Sequence, residues 1–133
     1  MIFGNKFKKD KCPFDTETKD KIKVAINKCC EKIEKDYKQQ LKYMKKNNPE
    51  ELAYINLDKV SFLEPNVDFN YSDSIAVDFT KKVNQDVFYA MQQHNKCWYE
   101  IGDRLKSAVN NVTPIKKIQL VDDDAIVVLV YKL

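Results

Sequence analysis

"AIVVLVYKL" (residues 125–133) opens on six apolar residues in a row, with no polar residue alternating among them. A strand that meets water on one face alternates apolar and polar side chains, so this run reads as a strand buried on both faces. It belongs in the middle of a sheet, with something packed on each side. "IKKIQLV" (115–121) precedes it with strand chemistry, and the "DDD" between them reads as a solvated turn, so 115–133 forms a hairpin. Three adjacent carboxylates could hold Mg²⁺ or Ca²⁺, but the ligand spacing of a calcium-binding loop is missing.

Further back the twofold period continues. "VDFNY" (67–71) places Val67, Phe69 and Tyr71 on one face, and "IAVDFT" (75–80) does the same with Ile75, Val77 and Phe79. With "SDS" as turn chemistry between them, 67–80 reads as a second hairpin. "YINLDKVSFLE" (54–64) contains one more strand, which brings the count to about five.

Two stretches have helical period instead. Ile22, Ile26, Cys29, Ile33, Tyr37, Leu41 and Met44 recur in steps of three and four, which predicts a helix over about 16–47. Asp15 or Thr16 caps it, Glu17 sits where the helix dipole favours negative charge, and "NNP" (47–49) stops it. Val87, Met91, His94, Trp98, Ile101, Leu105, Ala108 and Val112 predict a second helix over about 84–111, ended before Thr113-Pro114. The expected fold is α+β, a two-layer sandwich in the order α-β-β-β-α-β-β. Two long helices pack on one face of an antiparallel sheet of about five strands. A basic irregular tail, 1–14, precedes a single domain, 15–133, without repeats or linkers.

A length of 133 residues, with 44% apolar and 32% charged residues, fits one small soluble domain with a real core. No apolar run approaches the ~20 residues that span a bilayer, so no membrane span is expected. In "MIFGNKFKKDKCPF" the lysines follow a short apolar patch, the reverse of a signal peptide, so the expected compartment is the cytoplasm. There the four cysteines (Cys12, Cys29, Cys30, Cys97) stay reduced, and no C-x-x-C pair marks a zinc or redox motif.

Residues 1–49 carry 14 Lys against 7 Asp/Glu, a balance of +7, whereas the remainder carries 9 basic against 13 acidic residues, a balance of −4. Such a segregated surface orients partners or copies of the chain. The two glycines, Gly4 and Gly102, exclude phosphate-cradling loops and nucleophile elbows, which need glycines in tight turns.

"MQQHNKCWYE" (91–100) holds the only histidine and the only tryptophan. On a helical wheel His94 falls in the apolar stripe and Cys97 beside it, while Glu100 points about 120° away. The four do not form a triad. A histidine so placed reads first as a core residue bonded to one partner. The metal alternative joins His94 and Cys97 to Cys29 and Cys12; the thiol alternative pairs Cys97 with His94, with Arg104 lowering the thiol pKa. No cofactor is expected.

Lys21, Lys28, Lys35 and Lys42 lie seven apart on the first helix, opposite its apolar face, with Lys32 and Lys46 flanking them. A row of this kind can track phosphates, although no nucleic-acid-binding signature accompanies it and Glu31, Glu34 and Asp36 dilute its field. Phe88, Tyr89, Tyr99 and Tyr43 fall outside the main stripes and could line an interface. At the level of topology alone, the element order is similar to that of small phage tail or connector proteins and bacterial secretion chaperones. The chaperones of this layout are acidic, and this chain is not.

The sequence thus points to a non-enzymatic interaction or assembly protein, a bacterial or phage component that binds another protein or itself. The alternative is nucleic-acid binding through the lysine face; a thiol or zinc site at His94/Cys97 comes third.

Overall fold

The computed structural model describes residues 12–47, 63–80, 98–121 and 125–133. Within them the chain forms two helices, α1 (Thr16–Asn47) and α2 (Trp98–Asn110), and four strands. The strands are β1 (Asn66–Asp68), β2 (Ser74–Asp78), β3 (Lys117–Val121) and β4 (Ile126–Val130). They make one open antiparallel sheet in the order β1-β2-β4-β3.

The apolar run occupies the expected place. β4 lies between β2 and β3, with Val127 paired to both Val77 and Leu120. Its side chains divide between two cores. Val127 and Leu129 join the cluster built by the helices, while Ile126, Val128 and Val130 join a second cluster on the opposite face. All five are buried, so both faces of the central strand are covered.

α1 forms as its sequence dictates. The Asp15 carboxylate accepts the Thr18 amide at 2.8 Å and caps the first turn, and hydrogen bonding from the Thr18 side chain, followed by this amide bond, holds the Asp15 pKa below its ordinary value. Ile22, Ile26, Ile33, Tyr37 and Leu41 are buried in the main cluster, together with Cys29 and Cys30. Each such aliphatic side chain contributes roughly 1.5–3 kcal/mol by leaving water. α2 adds Ile101, Leu105 and Val109. Trp98, at its start, stacks on Phe79 with ring centroids 5.3 Å apart. At Gly102 α2 lies close upon the sheet. A Cβ there would stand 3.0 Å from Ile118 Cδ1 and 3.2 Å from Val127 Cγ1. Beyond α2, the Asn110 side chain accepts the Ile115 amide at 2.8 Å, and Pro114 cannot continue the helix.

Three expectations need correction. The described sheet has four strands rather than about five: of the strand expected in 54–64, Leu63 and Glu64 are irregular and the rest lies outside the described residues. The order α-β-β-β-α-β-β is therefore replaced by α-β-β-α-β-β among the described elements. Of the second helix, 98–110 is helical, and 84–97 lies outside the described residues.

The third correction concerns Tyr71. The alternation reading put it on one face with Val67 and Phe69. Instead Val67 and Phe69 pack on the helix-side core, and Tyr71 is buried in the opposite cluster. The cause is local. The Asp68 carboxylate accepts the Asn70 amide at 2.9 Å, a side-chain turn that ends β1 and resets the face on which later residues fall. Asp78 ends β2 in the same way, accepting the Thr80 amide at 2.8 Å and its hydroxyl at 2.6 Å.

Candidate interaction groove

The lysines predicted to share a face of α1 do so. Lys21, Lys28, Lys32, Lys35, Lys42 and Lys46 are all exposed. They do not line a plain solvated surface, however. An open groove of about 1180 Å³ lies between α1 and α2, and Lys21, Lys28, Lys32 and Lys35 stand along it. Lys42 and Lys46 lie further along α1, beyond the groove.

Its floor is apolar. Val24, Ala25 and Cys29 supply it from α1, Ala108 from α2 and Val112 from the turn that follows α2. Val24 is 49% exposed, a β-branched apolar side chain that the core does not use. Small residues at 25 and 108 keep both walls low. From Glu17 to Lys35 the α1 wall runs about 27 Å, and from Asp103 to the end of α2 at Asn110 the α2 wall runs about 10 Å, at the usual helical rise. The section walled by both helices is therefore about two helical turns long.

Charge is graded along the groove. Near the start of α1, Glu17 and Asp20 face Lys21, which pairs with Glu17 at 3.4 Å. Further on, Lys28, Lys32 and Lys35 outnumber Glu31, and none of the three forms an ion pair among the described residues. On the α2 wall Arg104 is already committed, its guanidinium bonded to Asp36 of α1 at 2.9 Å. That bridge ties the helices at one end of the groove.

The residues of the metal and thiol alternatives are dispersed as far as the structure describes them. Cys12 is partly exposed beside Tyr131, whose ring meets Phe14 at 4.8 Å. The Tyr131 hydroxyl donates to the Tyr71 carbonyl at 3.0 Å, and burial, followed by the neighbouring Cys12, raises its pKa. Cys29 lies instead on the groove floor, about 20 Å of helix rise beyond Thr16. Burial raises the Cys29 pKa, while Arg104 and Lys32 oppose the rise. Cys30, turned into the core, is pushed up to about 12, first by burial and then by Cys29, Glu34 and Glu31. Thiols held protonated in this way are poor nucleophiles and poor metal ligands. His94 and Cys97 lie outside the described residues, and among those described no three His, Cys, Asp or Glu side chains converge on a metal position.

Among the aromatic residues singled out, Tyr43 is 68% and Tyr99 61% exposed. Phe88 and Tyr89 lie outside the described residues. Among the described residues no helix is long and apolar enough to cross a membrane.

Sequence reasoning found the lysine row but missed the groove. The available signal was Val24, an apolar residue set within the lysine stripe. Comparison with protein-family models, with curated proteins and with solved structures finds no match to this chain.

Proposed function

We propose that this chain is a non-enzymatic interaction protein whose α1/α2 groove receives an amphipathic helix from a protein partner. The observation that carries the reading is the combination of an apolar floor with Lys28, Lys32 and Lys35 beside it, which form no ion pair among the described residues. An apolar trough between two helices is the usual seat of a third, which lays its own apolar stripe along the floor. At about 1180 Å³, open along its length, the groove exceeds the ~300–1,000 Å³ typical of small-molecule sites. Lys28, Lys32 and Lys35 select a segment with acidic residues flanking that stripe. They also disfavour a second copy's α1 as the occupant, since lysines would then face lysines.

The same lysines support a second reading, contact with a nucleic-acid backbone. Against it, a phosphate chain following them would meet an apolar floor and the carboxylates of Glu17, Asp20, Glu31 and Asp103.

Fluorescence anisotropy separates the two. The probes are a designed helical peptide with a leucine/alanine stripe and glutamate flanks, the same peptide with lysine flanks, and a DNA duplex. The glutamate peptide should bind, and Val24→Arg or Ala108→Arg should abolish binding by filling the floor. Salt-dependent duplex binding without peptide binding would overturn the groove reading in favour of the second.

A further inference from the structure

The two borders of the sheet are unequal. β1 is three residues long, too short to template much. β3 is five residues, "KIQLV", without proline and with no charge after Lys117. It pairs with β4 alone, and among the described residues no strand adds to its outer side. Ile118, Gln119 and Leu120 are only half-buried there. An open edge of this kind offers a row of backbone donors and acceptors to another strand, and proteins that stay single blunt such edges.

A second feature lies above this edge. Gly102 sits over Ile118, which fixes one flank of α2 as its β3 side. Helical phase places Lys106 and Tyr99 on that flank, away from Arg104 and Ala108 of the groove. Tyr99 is 61% exposed, an aromatic ring presented to water on the β3 side of α2.

The strand is also complementary to itself. Antiparallel pairing about a twofold axis through Gln119 sets Ile118 opposite Leu120 of the second copy, apolar against apolar. It sets Lys117 of each copy opposite Val121 of the other, so that the two lysines stand at opposite ends of the new ladder. Parallel addition would set lysine beside lysine.

We propose that a second copy of this chain adds to β3, so that two four-stranded sheets become one continuous sheet and the two Tyr99 rings are covered near the axis. A twofold contact of this kind uses one patch on both copies and closes at the dimer. It is a different surface from the α1/α2 groove and leaves that groove open.

Sedimentation equilibrium of the full chain tests the proposal. The unaltered protein should be a dimer. Tyr99→Glu and Gln119→Lys each place like charges together at the axis and should raise the dissociation constant at least about tenfold. Circular dichroism should show both variants folded, because Tyr99 is exposed and a lysine at 119 can extend its amine to water. Val24→Arg, in the groove, should leave the dimer intact. A monomer at concentrations up to about 100 µM would overturn the proposal. So would a dimer that neither edge variant weakens, or one that Val24→Arg dissolves.

Discussion

On α1, Ile22, Ile26, Ile33, Tyr37 and Leu41 are sealed in the core, while Lys21, Lys28, Lys35 and Lys42 on the same helix stand in water. Both sets repeat with the pitch of the helix, and a sequence pattern treats them alike. They differ in what a substitution should disturb. The buried set holds α1 against α2 and the sheet. The exposed set lies outside the core, where substitutions usually change stability little.

The sharpest way to break this division is at Ile33, fully buried at the middle of α1. Ile33→Ala should cost about 2–5 kcal/mol, read as a lowered denaturant midpoint with an unchanged slope. A smaller loss tests the opposite wall of the groove, which depends on how closely α2 sits on the sheet. Gly102→Val drives a branched side chain toward Ile118 and Val127 and should cost about 1–3 kcal/mol in thermal unfolding. Gly102→Ala should lose less, since the gain in helix propensity of about 1 kcal/mol offsets the crowding.

Cys30 gives the buried face a pH signature. Its pKa is raised by burial to about 12 from 9.0. Below pH 9 the thiol is protonated whether the chain is folded or not, and stability is unaffected. Above it the unfolded chain loses the proton while the folded chain retains it, so stability falls as pH climbs from 9 toward 12. The loss should be on the order of 1 kcal/mol at pH 10, and its slope should flatten in Cys30→Ala. The smallest stability effect belongs to the exposed face. Lys28→Gln, Lys32→Gln and Lys35→Gln together should shift stability by no more than about 0.5 kcal/mol. The same triple variant should lose the glutamate-flanked peptide, which makes it the counterpart of Ile33→Ala on the other side of the helix.

Periodicity made much of this legible. The α1 core face, the central place of β4 and the inward Ile101 and Leu105 all follow from spacing, because spacing decides which side of an element water can reach; further along, the buried residue is Val109, which the expected stripe left out, while Ala108 and Val112 are half-buried. What spacing does not encode is the distance between two elements that face the same core. The groove between α1 and α2 depends on that distance, and only the exposed Val24 hinted at it. Nor does a twofold pattern show where a strand stops. Asp68 folds its carboxylate onto the Asn70 amide, and a residue later Tyr71 has changed sides. In "MQQHNKCWYE", helical phase had already separated Glu100 from His94, and of that stretch Trp98 is placed against Phe79 as a core residue.

The place of β4 has a consequence in time. It is the latest of the described strands and also the one on which the sheet is assembled, since β2 and β3 both pair with it. As the chain leaves the ribosome, α1 and the β1–β2 hairpin are made long before the partner that unites them. Ser74 waits for Val130, 56 residues later, to complete its ladder. Joining segments so distant carries a loop-closure cost that local structure does not repay in advance. Until β4 emerges, the apolar face of α1 and one side of β2 have no strand to close over, and that interval is when the nascent chain is most exposed to misassociation.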